Sequence, residues 1–357
     1  MNRNTVLIIL MILLTATAGW AAKIGTLKGI YKPQLIKVDG DDILVVEGHT
    51  VYVYSRKDLE LIRKIGKEGS GPGEFQLDRN RTAAISVFPD SILVESRNKA
   101  VYFARNGEFI REIKKHPGAV QMVPIGENYV VYKILYGPKN QNYWSLNIYD
   151  ANLNVVKELY RQKFFTFEDK TLLVGDGINF FVHQDRVYVE ESPDGFIIEV
   201  FDAQGNKVDR IEKEYKKVKV TSALEKEALE HFLSVPAIRQ AISRQGRDTV
   251  LDDLKRRSNF YYSDYLPPIK DIKFDGKAMY VKTVEKKDNK EKYLVMDLKG
   301  KVLKEVYLPE VQVESFFNLL QGDKKFYAFY NNNFYYMKRV DIDDDEEEWE
   351  VHVEEIK

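Results

Sequence analysis

Histidine and cysteine carry much of the nucleophilic and metal chemistry of proteins, and their pattern in this chain supports neither. The chain has five histidines and no cysteine. The histidines show no HxH or HExxH spacing, no GxSxG elbow occurs, and a cysteine nucleophile is excluded. We therefore predict no catalytic residue. His183, at the end of a predicted inner strand, is kept as a candidate ligand-binding residue, beside the simpler interpretation of a structural histidine.

Aromatic side chains are the second group that can recognise a ligand, because they stack on sugars and peptides. Tyr261, Tyr262 and Tyr265 follow a stretch with helical periodicity and are predicted to form a ligand surface. A second aromatic cluster, between residues 326 and 336, is interpreted as packing, because strands favour aromatic residues.

The acidic run DIDDDEEEWE, residues 341–350, resembles a calcium loop only superficially. It lacks the central glycine and the terminal spacing of an EF-hand. We predict a solvated hairpin tip between the last two strands. No cofactor is expected, and any calcium binding at this run is expected to be weak and nonspecific.

The glycine-rich segment GKEGSGPGEF, residues 66–75, suggests either a phosphate-binding loop or a joint between structural units. A phosphate loop requires a GK[ST] ending or a GxGxxG spacing between a strand and a helix, and neither is present. A joint requires residues that permit turns and a residue that can wedge between sheets. The predicted joint residues are Gly69, Gly71, Pro72, Gly73, Glu74 and Phe75.

Composition and charge exclude several kinds of partner. The chain has 357 residues, of which 44% are hydrophobic, so it can bury a large core. Its 54 basic and 55 acidic residues nearly cancel, so no long-range field favours nucleic acid or an anionic membrane surface. Neither is expected as a partner.

The N-terminus has the pattern of a secretory signal. Arg3 precedes an apolar run from Val6 to Leu14, and small residues with small-x-small spacing follow as far as Ala21. We predict a cleaved signal peptide over residues 1–21 and a periplasmic or extracellular protein without disulfides. The alternative is an uncleaved membrane anchor, because residues 5–22 are nearly free of charge. No membrane insertion is expected beyond this segment.

A repeated strand and turn pattern determines the predicted architecture. Alternating strands, each followed by a polar turn and a second strand, align on an aromatic residue or methionine, and a weaker sixth copy contains NNFYYMKRVDI. The aligned positions are Tyr54, Phe103, Tyr149, Phe201, Met296 and Met337. Further strand pairs precede most of these hairpins. The period of about 40 to 50 residues matches propeller blades of four strands.

The longest interval between repeats, from Phe201 to Met296, contains the one strongly helical stretch, residues 222–258. Ser222 and Glu225 have the spacing of a capping box, and Asp248 is placed to cap a further short helix. A helical pair packed on one face of the propeller and a partner-binding surface are both compatible with this insertion.

Two segments also resemble known families. Residues 66–75, followed by AAISVFPDSILVESRNKAVYFARNGEFIREI, resemble an NHL-type repeat. YLPPIKDIKFDGKAMYV, after the helical stretch, is similar to the exported, TolB-like six-bladed propellers of bacteria. These resemblances imply a propeller and leave the activity undefined.

The sequence thus predicts an all-β protein, a six-bladed β-propeller of four-stranded antiparallel blades, formed by residues 22–357 with the helical insertion at 222–258. We expect a non-enzymatic scaffold that binds an unidentified protein, peptide or glycan through one face. The alternative is a hydrolase or lyase centred on the channel, with or without a dependence on calcium. The first strand of the chain or the last can complete the ring.

Overall fold

A computed structural model gives the fold and describes residues 21–77, 83–164, 166–174, 178–190, 195–311, 325–343 and 346–357. The predicted signal peptide lies outside these residues except for Ala21. Six four-stranded antiparallel sheets are present within the described ranges, and each is one blade of a six-bladed propeller. The predicted fold class is confirmed.

The first three blades follow one another closely in the chain. Blade 1 consists of β2 (Leu35–Asp39), β3 (Asp42–Glu47), β4 (Thr50–Ser55) and β5 (Leu61–Ile65). The short strands β6 (Lys67–Glu68) and β7 (Glu74–Phe75) lead to blade 2, which consists of β8 (Ala84–Val87), β9 (Ser91–Glu95), β10 (Lys99–Ala104) and β11 (Phe109–Lys114). Blade 3 consists of β12 (Ala119–Ile125), β13 (Asn128–Leu135), β14 (Tyr143–Tyr149) and β15 (Val155–Lys163).

The connections are longer in the second half of the chain. Strands β16 (Thr166–Phe167) and β17 (Lys170–Val174) precede blade 4, which consists of β18 (Asn179–His183), β19 (Arg186–Glu190), β20 (Phe196–Asp202) and β21 (Lys207–Lys213). Helices α1 (Ser222–Leu233), α2 (Pro236–Gln245) and α3 (Arg247–Arg257) and strand β22 (Asn259–Tyr262) precede blade 5, which consists of β23 (Ile269–Phe274), β24 (Ala278–Lys287), β25 (Lys290–Asp297) and β26 (Val302–Pro309).

Blade 6 joins the two ends of the chain. It contains β27 (Tyr327–Tyr330), β28 (Asn333–Asp343), β29 (Glu346–Glu355) and, outermost, β1 (Ala22–Thr26). Strand β1 pairs with β29 in the antiparallel direction, and Ala22 lies opposite Val353. Both candidate closing segments are therefore used.

The sequence alignment was wrong for this last blade. Met337 lies in the second strand, β28, whereas the other five aligned residues lie in third strands. The usual hairpin of third and fourth strands is split here between β29 and β1, so the repeat pattern shifts.

Each blade packs on the next through apolar side chains. Strands β2 to β5 and β8 to β10 share one apolar cluster, and blades 4 and 5 share another. The turn between the third and fourth strands of a blade packs against the outer strand of the preceding blade. At Gly300, which has a φ of +82°, an added Cβ would overlap the side chain of Ile211. Glycine is therefore required there both by the backbone and by the contact.

The inner strands are aligned by turns of equal length. A two-residue turn separates the first and second strands of every blade. These turns are residues 40–41, 89–90, 126–127, 184–185, 276–277 and 331–332. Residues at the same distance before each turn therefore lie at similar depth around the central channel.

The two faces of the ring differ. The first-to-second strand turns lie on one face, which we call the turn face. Segments that connect the outer strand of one blade to the inner strand of the next lie on the other, which we call the connection face. The helices belong to the connection face, and no helix among the described residues is long and apolar enough to span a bilayer.

Candidate functional site

The glycine-rich segment 66–75 lies on the connection face and links blades 1 and 2. Strands β6 and β7 pair in parallel, and the Gly71 N–H donates to Oε2 of Glu74 over 2.9 Å. Lys67 Nζ lies 3.0 Å from Oε1 of the same carboxylate. The hydrogen bond from Gly71, followed by the contact with Lys67, holds the pKa of Glu74 below its ordinary value.

Phe75 at the end of this segment is fully buried in the cluster shared by blades 1 and 2. The carboxylate of Glu74 occupies the position at the Gly71 N–H that a bound phosphate would need. The segment therefore has the geometry of a joint, in which the loop is closed by its own side chain.

The helical insertion consists of three helices rather than the pair considered from the sequence. Thr221, one residue before the predicted cap, accepts a hydrogen bond from the Leu224 N–H over 3.4 Å. Arg247 makes a bidentate ion pair with Glu230, with distances of 2.8 and 2.6 Å. This pair joins the start of α3 to α1, so the helices form a folded unit.

The insertion is also fixed to a second connection. Strand β22 pairs in parallel with β17, which lies between blades 3 and 4, and a three-stranded sheet β16-β17-β22 results. The Asn259 N–H donates to the Asp169 carbonyl over 2.6 Å, and the Phe232 ring meets the Phe260 ring edge-on at 5.4 Å. The three helices and the sheet β16-β17-β22 therefore form a rigid elevation, which covers part of the connection face.

The three predicted tyrosines lie at the base of this elevation. Tyr261 and Tyr265 are 42% and 44% exposed, and Tyr262 is half-buried. Burial, followed by the charge of Glu225, raises the pKa of Tyr262. Lys217 Nζ lies 5.3 Å from the centroid of the Tyr265 ring. Two of the three tyrosines can thus offer a ring to a ligand, one of them beside a cation.

His183 lies apart from the tyrosines, at the end of β18 on the turn face. Its Nε2 atom is 3.0 Å from the Gly276 carbonyl, and its ring stacks on Phe274 with centroids 4.5 Å apart. Burial lowers its pKa. The four predicted ligand-binding residues are not brought to one place, and the contacts of His183 tie the turn of blade 4 to that of blade 5.

The acidic run includes the adjoining ends of strands β28 and β29, with Asp343 opposite Glu346, and the hairpin tip predicted between them falls at residues 344–345. Residues 344–345 fall outside the described ranges. Among the residues that the structure does describe, no group of three or more His, Asp or Glu side chains is arranged to hold a metal ion.

The central channel contains a charged cluster that the sequence did not single out. The residues three positions before each turn form one level of the channel. They are Lys37, Ser86, Val123, Phe181, Lys273 and Ala328. Lys37 of blade 1 and Lys273 of blade 5 flank the small Ala328 of blade 6, and this level carries no carboxylate.

Asp271, one level nearer the connection face, is the carboxylate of this cluster and is 1% exposed. The Tyr327 hydroxyl donates to its Oδ2 over 2.7 Å, and Lys273 Nζ lies 3.5 Å from the same oxygen. Its other oxygen, Oδ1, is buried and has no hydrogen-bond partner among the described residues. Lys273 also lies over the Tyr327 ring, 5.3 Å from the centroid.

Two further lysines, Lys37 and Lys325, have pKa values that are affected by Lys273. Burial, followed by repulsion from Lys273, lowers the pKa of Lys37 to about 8, and Asp271 opposes this shift. Burial and Lys273 likewise lower the pKa of Lys325 to about 8. Lys37 and Lys273 belong to the inner strands of blades 1 and 5, on either side of blade 6.

The sequence holds a signal for these residues. An alignment of the first-to-second strand turns, rather than of the hairpins near the rim, places Lys37 and Lys273 at equivalent positions in LIKVDGD and DIKFDGK.

Comparisons with known proteins agree with the propeller architecture. The model of a family described as DUF5128, a 6-bladed beta-propeller, matches residues 28–172, which include blades 1 to 3. No curated protein matches the sequence. The crystal structure of a member of the DUF4221 family from Bacteroides vulgatus has a TM-score of 0.50 and 11% identity, with 95% of this chain and 98% of that chain covered.

Two more distant structures are similar over much of their length. BamB from Moraxella catarrhalis has a TM-score of 0.30 and 8% identity, with 88% of this chain and 71% of that chain covered. The Pan2 WD40 domain of Neurospora crassa has a TM-score of 0.39 and 11% identity, with 77% of this chain and 66% of that chain covered. At sequence identities this low, similarity concerns the fold alone and does not indicate an activity.

Proposed function

We propose that this protein is an exported, non-enzymatic propeller scaffold that binds a protein, peptide or glycan partner through its connection face. The observation that carries the proposal is the sheet β16-β17-β22. It fixes the helical insertion, which lies between blades 4 and 5, to the connection between blades 3 and 4 and leaves Tyr261 and Tyr265 exposed at its base. A rigid surface with exposed tyrosines suits recognition, because little conformational entropy is lost on binding.

The channel supports binding rather than calcium-dependent hydrolysis. Lys37 and Lys273 place positive charge beside Asp271, the carboxylate that such a site would need. A calcium-dependent hydrolase or lyase centred on the channel is therefore the weaker alternative.

A capture experiment tests the binding face. The immobilised protein should retain a partner from an extract of the producing cells or a glycan from an array. The Tyr261→Ala/Tyr265→Ala variant should bind it at least about tenfold more weakly, since exposed aromatic residues often carry much of the binding energy. Replacement of residues 222–258 by a short Gly-Ser linker should also abolish capture.

Tyr31→Ala is the matched control. Tyr31 is 73% exposed and lies in the connection between blades 6 and 1, away from the insertion. This variant should bind as the wild type does. Undiminished capture by the tyrosine double variant and by the linker variant would refute the proposed face.

Export is a separate part of the proposal and is supported by the N-terminal pattern alone. The intact mass of the protein recovered from the periplasm or the medium should correspond to a chain that begins close to residue 22. A membrane-bound protein that retains residues 1–21 would instead support the anchor. We also propose that this chain is related to NHL-type or TolB-like propellers, and the residues of the joint support this relation.

A further inference from the structure

We infer that the partner bound at the connection face is an acidic peptide segment with one apolar side chain, recognised by the lysines of residues 213–219 and by a cleft between blades 4 and 5. The segment 213–219, KEYKKVK, follows the outer strand of blade 4 and leads to the helical insertion. This assignment rests on the proposed function, because both use Tyr265 and the same face of the ring.

The basic segment 213–219 carries positive charge that the protein does not neutralise. Its lysines are Lys213, Lys216, Lys217 and Lys219, and the last three are exposed. None of these four lysines forms an ion pair among the residues that the structure describes. The carboxylates closest to them in the chain pairing are Glu214, in the segment itself, and Asp264, on the strand opposite. Carboxylates of a partner would therefore meet free ammonium groups here.

A short antiparallel pairing fixes the direction of these lysines. Two backbone hydrogen bonds, of 2.9 and 2.8 Å, join residues 218–220 to residues 264–266. Lys219 and Tyr265 lie opposite each other between these bonds, as a non-hydrogen-bonded pair whose side chains share one face. Lys217 lies on the same face, with its Nζ 5.3 Å from the centroid of the Tyr265 ring. Two free cations and an exposed ring are thus presented together.

A cleft between blades 4 and 5 adjoins the basic segment. Its volume is about 140 Å³, close to the roughly 150 Å³ at which an apolar cavity holds a benzene ring. Its apolar lining residues are Phe196, Tyr215, Leu294 and Val302. Lys213 and Lys216 line the same cleft. One apolar side chain of a peptide can therefore enter the cleft while its acidic neighbours contact the lysines.

The blade 5 side of the cleft has a different character. Lys292 Nζ lies 3.1 Å from Glu305 Oε2 and 3.4 Å from Glu285 Oε1. These groups pair with one another, so the acidic part of the partner is drawn to the blade 4 side. A sulfated or carboxylated glycan would satisfy the lysines but not the apolar lining, and a peptide is therefore the better fit.

Selection from a library of short random peptides, displayed on phage and passed over the immobilised protein, tests this chemistry. The selected peptides should carry aspartate and glutamate around one phenylalanine, tryptophan or leucine. The tightest of them is then synthesised with two variants, one with serine at the apolar position and one with asparagine and glutamine in place of the acids. Fluorescence anisotropy should show that each variant binds about tenfold more weakly.

Replacement of the exposed lysines tests the surface itself. The variant Lys216→Gln/Lys217→Gln/Lys219→Gln should bind the synthetic peptide about tenfold more weakly, because three ion pairs that are each weak are lost together. Its affinity should also lose most of the dependence on NaCl that the wild type shows, since that dependence comes from exposed charges.

The matched control removes the same charge from the other face. Lys57, Lys277 and Lys299 lie in exposed turns of the turn face. Their simultaneous replacement by glutamine should leave the affinity for the peptide unchanged. Circular dichroism and thermal unfolding establish that both triple variants are folded.

Selection of neutral or basic peptides, or no selection at all, would overturn the inference. Equal affinity of the Lys216→Gln/Lys217→Gln/Lys219→Gln variant and the wild type would do the same. If dextran sulfate competes as well as the peptide does, and the apolar residue can be removed without loss, the surface binds anions in general and the assignment to a peptide is wrong.

Failure of the proposed function has a different signature. Capture of the cellular partner that persists in the tyrosine double variant and in the linker variant refutes the connection face as the binding face. Capture that depends on the tyrosines but is unchanged by replacement of Lys216, Lys217 and Lys219 refutes the acidic chemistry alone.

Discussion

Lys37 shows at the scale of one residue how the fold accommodates a charge that it does not stabilise. Its side chain keeps some surface open to the channel, yet its ammonium group lies deep enough for burial to lower its pKa to about 8. In the unfolded chain the same group titrates at its ordinary value of 10.5. The protonated form of Lys37 therefore opposes folding.

The sign of the pH dependence follows from these two values. Below pH 8 both states hold the proton, and between pH 8 and 10.5 the unfolded state binds more protons than the folded state. The free energy of unfolding should therefore rise with pH over this window, by as much as about 3 kcal/mol for a shift of this size. Urea denaturation from pH 7 to pH 10 measures the rise.

Replacement of the lysine should reduce this dependence. Lys37→Met should be more stable than the wild type at pH 7 and should show a shallower rise. Lys325 contributes in the same direction, and the charged or titratable neighbours Asp271, Lys273 and Tyr327 remain. A pH profile unchanged by Lys37→Met would contradict the burial of this charge.

A glycine provides the second prediction at this scale. Gly300→Ala should lower the free energy of unfolding by about 2 to 4 kcal/mol, because the left-handed backbone and the overlap with Ile211 are both unfavourable. Gly276→Ala is a matched control, since Gly276 has a φ of +88° but no heavy atom within 4 Å of an added Cβ. Its loss should be only about 1 to 2 kcal/mol. Equal losses in urea denaturation would mean that the contact with Ile211 is unimportant.

The turn alignment relates Lys37 to Lys273, but the proximity of the channel residues could not be predicted from the sequence, for a physical reason. Lys37 and Asp271 are more than 200 positions apart, and only the closing of the ring brings them together. A single lysine in an alternating strand resembles any exposed position. The joint was easier to predict, because Gly71, Glu74 and Phe75 are close in sequence and their contacts are local.

At the scale of elements, the joint between blades 1 and 2 combines a polar loop with an apolar anchor. The anchor accounts for most of the expected energy. Phe75→Ala should lower the free energy of unfolding by about 3 to 5 kcal/mol, because the ring is fully buried between two blades. Tyr136→Ala, at a 79% exposed position, should change it by no more than about 0.5 kcal/mol.

The helical insertion illustrates what periodicity can and cannot give. Apolar spacing located the helical stretch, and the structure divides it at Pro236, where α2 starts, and at Gly246, which precedes α3. The pairing of β22 with β17 was not predicted, because a short parallel pair between distant connections leaves little pattern in the sequence. That pairing is what fixes the orientation of the proposed binding surface.

At the scale of the whole molecule, the ring depends on the pairing of its two ends. Besides the ladder between β1 and β29, the Leu27 N–H donates to the Trp349 carbonyl over 2.8 Å. Regular blades were predictable because blades 1 to 5 repeat the same hairpins. The closure was left open between the first strand and the last, because the pairing of these two segments is absent from any local pattern.

Removal of the closing strand should weaken the whole ring. A chain that starts at Leu27 should unfold roughly 5 to 10 °C below one that starts at Ala21, on the order of 2 to 4 °C per kcal/mol lost. Loss of β1 also exposes the edge of β29, so this variant should associate more readily. Differential scanning calorimetry and size-exclusion chromatography measure both effects. Identical melting of the two chains would show that β1 contributes nothing to stability.

The register of the closing pair also has a mechanical consequence. Ala22 lies opposite Val353, so the free ends of β1 and β29 emerge side by side from the same edge of blade 6. A force applied to the two termini would break the hydrogen bonds one after another, as in a zipper, rather than all together in shear. The protein is therefore expected to open at blade 6 under low tension, while a load applied elsewhere would meet intact blades.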